Sequence, residues 1–327
     1  MRIFMTGATG FVGPALIEHL STKGHEIVGL ARSKTSDRRL RSLGARPLAG
    51  SIVDLDILRR GAAEADAVVH LAYSFSPGDL PRRRLFGALL GGWPGNTVAR
   101  MMLAITATND AAIDALASAL TGSGRPMVTA FATMGVAGPP GARAERLAVE
   151  TDLPDPRSPG HVRAVSEALV RQWAQRGVRA SVVRLAPSVH GRGDRGLIPQ
   201  LATAARKNGE VLYVGDGSNR WSGVHIGDAV SLFELALEKG RAGGVYHGAA
   251  EEGVTYKQIA EIMAKDLGLP VRSATSLQAK RQFGFLAPFV GVDNPVDSQR
   301  TQQELGWRPV GPALIDDLEG LDYFGTA

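Results

Sequence analysis

The stretch Met5-Thr6-Gly7-Ala8-Thr9-Gly10-Phe11-Val12-Gly13 constrains this chain more than any other. It follows a short apolar run at residues 2–6 and leads into a helix-like segment at 14–23. A strand-to-helix turn that receives a pyrophosphate needs glycines at this spacing. Gly7 supplies the tight turn, Gly10 lets the backbone approach the phosphates, and Gly13 lets the helix pack closely on the strand. Thr9, Phe11 and Val12 complete the loop, and the helix N-terminus behind it offers unpaired N–H groups and a partial positive charge. A glycine triplet alone is weak, because plain turns carry it too. Here strand, loop, helix and next strand fall within about 30 residues, the context a dinucleotide-binding turn requires.

The pattern that follows extends this reading. Apolar runs at 26–30, 67–72, 127–132 and 180–185 lack strict alternation, as strands buried on both faces of a parallel sheet do. Helix-like segments at 54–63, 109–120 and 162–176 lie between them, which predicts an α/β fold with a doubly wound parallel sheet of Rossmann type. After Leu185 the texture becomes rich in Gly, Pro and Asp. Helical patterns return at 227–238 and 255–267, with a strand-like run at 244–247. The expected organisation is a dinucleotide-binding domain at 1–185 and a smaller, mainly substrate-binding C-terminal lobe at 186–327 that returns one or more elements to the main sheet. Residues 76–100, with two prolines near their start, three consecutive arginines and Gly91-Gly92-Trp93-Pro94-Gly95, read as an insertion between the fourth strand and its helix, in the position of a lid.

Composition excludes several alternatives. The chain has no cysteine, so a disulfide framework, a thiol nucleophile and thiolate metal sites are ruled out. The formal net charge of +5 is modest for 327 residues, and Arg82-Arg83-Arg84 is the one tight basic run. That is a solvated surface rather than a nucleic-acid footprint. No apolar run is long enough for a membrane helix and no signal-peptide pattern is present, so a cytoplasmic protein is expected. The seven histidines are scattered without a His-x-x-x-His pair, and no metal site is predicted.

Cofactor choice is read at the end of the second strand. A site for NAD usually carries an acid there for the ribose hydroxyls; this chain has Ala31-Arg32-Ser33. Arg32 with Ser33 suits a 2′-phosphate, so NADP is expected ahead of NAD, although an exposed turn arginine would look the same.

These residues resemble the short-chain dehydrogenase/reductase superfamily, in its extended branch, the NAD-dependent epimerase/dehydratase type. The glycine spacing is that branch's, and the resemblance runs nearly end to end. His70-Leu71-Ala72 is similar to the family's segment beside the cofactor, which brings in Leu71, Ala72 and the following Tyr73. Asn109 is similar to the family's helix asparagine, and Pro187, in Arg184-Leu185-Ala186-Pro187, to the proline near the nicotinamide. Arg220-Trp221 with Val224-His225-Ile226 and Asp228, and Leu305-Gly306-Trp307-Arg308-Pro309, match further family segments. Where the family commonly has Gly-Asp near the adenine, this chain has Gly50-Ser51, which leaves Ser51 and Ile52 to line it, and Asp54 reads as the N-cap of the next helix.

The resemblance also exposes a departure. The family's chemistry rests on a Tyr four residues before a Lys on one helix. None of the five tyrosines has Lys four residues on, and no lysine occurs between Lys34 and Lys207. Counting back from Glu167 puts Arg163 at the Lys position and Pro159 at the Tyr position. Arg163 can bond a ribose hydroxyl but is too basic for proton transfer. Thr133 matches the family hydroxyl that bonds the substrate carbonyl. Tyr73, His161, His190 and water are the remaining candidates for the proton donor. The implied activity is an NADP-dependent oxidoreductase or epimerase/dehydratase-like enzyme on a small carbonyl, hydroxyl or sugar-like substrate, with a homodimer possible and no nucleic-acid or membrane partner. The alternative is a redox-inactive dinucleotide sensor or scaffold on the same fold, similar to the nitrogen-metabolite-repressor proteins.

Overall fold

The computed structural model of the chain describes residues 1–74, 77–320 and 323–325. Its main sheet has seven strands in the order β10-β6-β5-β4-β1-β2-β3. These are β1 (Arg2–Thr6), β2 (Glu26–Ala31), β3 (Arg46–Ala49), β4 (Ala67–His70), β5 (Pro126–Ala132), β6 (Arg179–Leu185) and, after β7 (Ser188–His190), β8 (Val211–Val214) and β9 (Arg220–His225), β10 (Val245–Gly248). The pairs β1/β2, β1/β4, β2/β3 and β4/β5 run parallel. The mostly parallel sheet with flanking helices is the expected Rossmann-like α/β architecture. Ile3, Phe4 and Met5 of β1 and Val68 and Val69 of β4 are fully buried, which is why these runs show no polar alternation.

By its contacts the chain forms two compact units. One comprises Met1–Ala130, Val165–Val182 and Phe233–Gly244, and the other Phe131–Ala164, Val183–Leu232 and Val245–Ala327. In the first unit the order reverses at β1, with β2 and β3 on one side and β4 on the other, the place in an open α/β sheet where ligands commonly bind. Gly7, at φ +69°, sits where those loops meet: a Cβ on it would lie 2.6 Å from the Ala72 nitrogen. Gly13 opens the helix Val12–Thr22, and a Cβ there would lie 2.4 Å from the Ala8 carbonyl.

The second unit holds a three-stranded sheet, β11 (Glu251–Thr255) with β9 and β7, and a two-stranded one, β12 (Val271–Ala274) with β8. Its core is built on Trp221, Tyr256, Ile259 and Phe283, with the Trp221 and Tyr256 rings edge to face at 5.0 Å. Capping boxes at Thr255/Gln258 and Thr275/Gln278 start the helices Tyr256–Leu267 and Ser276–Phe283.

Four local expectations are corrected. The helix expected at 109–120 runs over Thr97–Ser118; Arg100 near its start bonds the Ala88 and Trp93 carbonyls at 2.9 and 2.8 Å and anchors the additional turns. Residues 76–100 are mostly helical rather than an irregular loop: Pro77–Asp79 and Pro94–Asn96 are 3₁₀ turns and Arg82–Leu90 is an α-helix, while Phe75 and Ser76 lie outside the described residues. The helix expected at 162–176 is broken into His161–Ala164 and Glu167–Gln175, with the Ser166 hydroxyl at the break donating to Asp110 Oδ1. Asp54 does sit at the start of the helix Leu55–Ala63, but its carboxylate turns back to the Ser51 N–H (2.7 Å) and hydroxyl (3.0 Å) instead of capping that helix.

His247 on β10 is buried as a neutral imidazole. Nδ1 donates to the Asp297 carbonyl at 2.9 Å and Nε2 faces Arg184 at 3.3 Å. Burial and the neighbouring guanidinium push its pKa down from 6.5 to about 4.

Two outcomes follow from these contacts. Gly13→Ala should cost about 1–3 kcal/mol of stability, because the new methyl meets backbone atoms that cannot swing away; urea unfolding measures it. For His247, the unfolded imidazole binds a proton below its ordinary 6.5 whereas the folded one refuses it until about 4. This contribution is therefore intact above 6.5 and falls as the pH drops toward 4, by about 2–3 kcal/mol between pH 7.5 and 4.5. Urea unfolding of the wild type and His247→Gln at both pH values checks it, since the variant should lack this part of the slope.

Candidate functional site

In the first unit the ends of β1 and β4 come together. The Thr6 hydroxyl shares a hydrogen bond with His70 Nδ1 at 2.7 Å and accepts from the Ala72 N–H at 3.3 Å, and the Leu71 N–H donates to the Thr6 carbonyl. The two loops are thereby locked together. The helix after the loop starts without a side-chain cap at Phe11, so its first N–H groups are not taken by a capping side chain. Gly10 is exposed and has no left-handed φ, and a Cβ there would meet one atom, the Gly7 carbonyl oxygen, at 3.2 Å. Gly7 and Gly13 are thus required by the fold itself, whereas Gly10 leaves open the space in which a ligand's phosphates would lie. Thr9, Phe11 and Val12 are half-buried along that loop.

At the end of β2, Ser33 caps the helix Lys34–Ser42 by accepting from the Ser36 N–H at 3.1 Å. Arg32 is 70% exposed and donates from Nη1 to Asp79 Oδ1 at 2.9 Å. Ser51 and Ile52 follow β3 and are half-buried, Ser51 being held by Asp54. After β4, Leu71, Ala72 and Tyr73 are half-buried. Asn109 is buried and its amide is used internally: Oδ1 accepts from the Ser74 N–H at 2.9 Å and Nδ2 donates to the Ile105 carbonyl at 2.9 Å, tying the loop after β4 to the long helix.

In the second unit Thr133 follows β5 and is fully buried. Asn294 holds it. The Asn294 Nδ2 donates to the Thr133 carbonyl at 3.2 Å, which fixes the amide's orientation and leaves Oδ1 facing the hydroxyl at 2.7 Å. An amide oxygen has no proton to give, so the Thr133 hydroxyl donates and its proton is committed to Asn294. Asp293 beside it accepts from Arg220 Nε and Nη2 at 3.0 and 2.8 Å and from the Ala144 and Arg220 backbone N–H groups. Burial works to raise the Asp293 pKa, but Arg220 and these donors outweigh it and hold the carboxyl below the ordinary range. A cleft of about 260 Å³ opens here between the segments 136–138, 144–152 and 293–295.

The other expected residues are placed as follows. Pro159 is half-buried, and Gly160 next to it packs on the backbone after Thr133, since a Cβ on Gly160 would lie 2.8 Å from the Met134 carbonyl carbon and the Gly135 nitrogen. His161 is half-buried, and its Nδ1 has no hydrogen-bond partner among the described residues. The Arg163 guanidinium lies 6.0 Å from the centre of the Phe131 ring. Pro187 is half-buried between β6 and β7. His190 is fully buried, with Nδ1 donating to Asp317 at 2.6 Å and the His225 ring 5.7 Å away. Its Nε2 has no hydrogen-bond partner among the described residues.

Sequence reasoning missed Asn294, Asp293 and Asp79, which are far in sequence from the residues they hold and carry no local signal. It also missed that His25, Glu234 and Glu238 place ligand atoms within 4.8 Å of one another. Glu234 is already engaged there by His19 at 2.7 Å and Lys23 at 3.7 Å. Among the described residues no helix is long and apolar enough to cross a membrane.

Comparison with known proteins bears on the family and the fold. A sequence model of the NAD dependent epimerase/dehydratase family matches residues 3–80 and 99–249. The chain is 38% identical to the uncharacterized protein C2A9.02 of Schizosaccharomyces pombe, over 99% of this chain and 100% of that one. It is 36% identical to the uncharacterized protein YLL056C of Saccharomyces cerevisiae, over 97% and 98% respectively. Among solved structures, the dTDP-glucose 4,6-dehydratase DesIV of Streptomyces venezuelae, determined with NAD bound, superposes with a TM-score of 0.72 at 22% identity, over 98% of this chain and 95% of that one.

Gly10→Val should leave the urea midpoint nearly unchanged while abolishing NADPH and NADH binding in fluorescence titrations. Binding retained by the folded variant would show that the loop holds no phosphate.

Proposed function

The chain belongs to the NAD-dependent epimerase/dehydratase family, and from that premise we propose that it is a nicotinamide-dinucleotide-dependent oxidoreductase or epimerase/dehydratase-like enzyme that prefers NADP(H) and acts on a small carbonyl, hydroxyl or sugar-like substrate. The observation that carries this reading is the glycine loop. Its two structurally obligatory glycines flank a third that the fold leaves exposed, in front of an uncapped helix N-terminus. The residues present fit the pyrophosphate of a dinucleotide. Gly7, Thr9, Gly10, Phe11, Val12 and Gly13 would hold it, with Ser51, Ile52, Leu71, Ala72 and Tyr73 around the adenosine and nicotinamide halves. Asn109 acts by fixing the loop that bears Tyr73, and Pro187 and Arg163 are the contacts proposed for the nicotinamide and its ribose. A bound cofactor of this kind supplies or accepts the hydride.

Thr133 and the cleft beside Asn294 form the proposed substrate end. Because the Thr133 proton goes to Asn294, this hydroxyl meets a substrate as an acceptor unless it turns away from the amide. Tyr73, His161 and His190 remain the side chains proposed for proton transfer. The committed Thr133 proton, with Pro159 at the family's tyrosine position, also favours a second reading: a redox-inactive dinucleotide sensor. NADPH consumption across a carbonyl panel separates the two.

The cofactor preference rests on Arg32, whose guanidinium is mostly exposed and joined to Asp79. A 2′-phosphate would exchange for that carboxylate, so the preference should be modest. Exposed ion pairs are worth roughly 0–1 kcal/mol, which corresponds to about fivefold in affinity. Arg32→Ala should weaken NADPH by about that factor and leave NADH unchanged, and Asp79→Ala should strengthen NADPH alone. NADH bound more tightly than NADPH by the unmodified protein would overturn the preference.

A further inference from the structure

We propose that the segment 82–103 of the first unit docks on an anionic lipid surface. This goes beyond the dinucleotide reading and does not depend on it. The first observation is where the apolar surface lies. Among the described residues thirteen large hydrophobic side chains are exposed, and seven of them fall between Phe86 and Leu103. The others stand singly along the chain, as on any folded surface. In the helix Arg82–Leu90, the residues Arg82, Phe86, Leu89 and Leu90 follow i, i+4, i+7, i+8 spacing, the stripe that a helix normally turns to the core. Here that stripe is exposed, with Leu90 at 78%, and Ala88 is the buried residue. Trp93 is 79% exposed in the turn that follows, and Val98, Met102 and Leu103 are exposed on the first turns of the helix Thr97–Ser118. Arg100 joins these pieces, donating to the Ala88 and Trp93 carbonyls at 2.9 and 2.8 Å and to the Thr97 hydroxyl at 3.1 Å.

The second observation is charge. Between Asp79 and Asp110 the chain has four arginines and no acid. Arg84 is spent on the Thr108 hydroxyl at 3.0 Å, and Arg100 on the contacts above. Arg82 and Arg83 are exposed and have no carboxylate partner among the described residues. A second copy of this chain fits the face poorly. A two-fold contact of the patch with itself would gather the arginines of both copies in one interface to which neither segment brings a carboxylate. An anionic bilayer satisfies both features together. Phe, Leu and Trp side chains enter the boundary between headgroups and acyl chains while the guanidinium groups meet lipid phosphates and carboxylates. Lying on a bilayer needs no spanning helix, and this contact replaces the sequence-based expectation of no membrane partner.

The test uses the full-length protein with vesicles of phosphatidylcholine alone and of phosphatidylcholine with about one-third phosphatidylserine. Co-sedimentation should show partitioning at least about 10-fold stronger onto the serine-containing vesicles, weakening several-fold as salt rises from about 0.1 to 0.5 M. Tryptophan emission should shift to the blue on binding, and Trp93→Phe should bind as before without the shift. Arg82→Gln with Arg83→Gln should lower partitioning by about 25-fold, roughly fivefold for each arginine, and Leu90→Asp by at least about 10-fold. These side chains are exposed, so the urea midpoint and NADPH titrations without lipid should stay as in the wild type. No partitioning onto serine-containing vesicles, equal partitioning onto phosphatidylcholine alone, or partitioning that the arginine and Leu90 variants leave intact overturns the proposal. So does a dimer in analytical ultracentrifugation that Leu90→Asp splits, because a second copy would then be what covers this face.

Discussion

The first unit depends on how closely the loop after β1 approaches the loop after β4. Gly7 meets the Leu71–Ala72 backbone with no room for a side chain, and the Thr6 hydroxyl bridges to His70 and Ala72. Six residues on, as the second residue of the helix, Gly13 lies on the Ala8 carbonyl with the same lack of room. These contacts seat the helix N-terminus at the reversal point of the strand order, where helix dipole and open N–H groups favour an anion. Gly10 lies between these two positions with a single close neighbour, the Gly7 carbonyl oxygen, 3.2 Å from where a Cβ would stand.

This part of the molecule was legible in the sequence because it is local. The strand, the three glycines and the helix fall within a few turns of chain, and burial on both faces of a parallel sheet writes itself as unbroken Val, Ile and Ala. What was not legible depends on distant partners. The long helix begins at Thr97 because Arg100 ties it to carbonyls of the preceding helix and turn, in a stretch whose prolines and glycines signal breaks. Ser166 is pulled toward Asp110, 56 residues away, and the helix is interrupted there. Asp54 has the residue type of an N-cap, yet the Ser51 N–H competes for its carboxylate more effectively. In the second unit Thr133 was picked out by its likeness to the family's hydroxyl after the fifth strand. Asn294, which decides the direction of the Thr133 proton, is 161 residues further on and has no motif around it.

The stretch on which the sequence reading put Pro159 and Arg163 packs closely on the turn after β5. Gly160 packs against Met134 and Gly135, and the Ser158 hydroxyl donates to the Met134 carbonyl at 2.5 Å. The helix that follows, His161–Ala164, is only four residues long. The Thr133 hydroxyl finds its protein partner on another segment, in Asn294.

Arginine–carboxylate pairing follows one rule in both units, with different consequences. Arg32, Arg146 and Arg220 each face a carboxylate, but the pairs differ in burial. Arg32 and Asp79 are both in contact with water, so each can be rehydrated or find a new partner when the fork opens, and exchanging Asp79 for a phosphate costs little. Asp293 is buried and accepts four hydrogen bonds, so removing Arg220 would leave an uncompensated charge out of water. The same chemical pair is thus an exchangeable contact at the edge of the first unit and a fixed part of the cleft wall in the second.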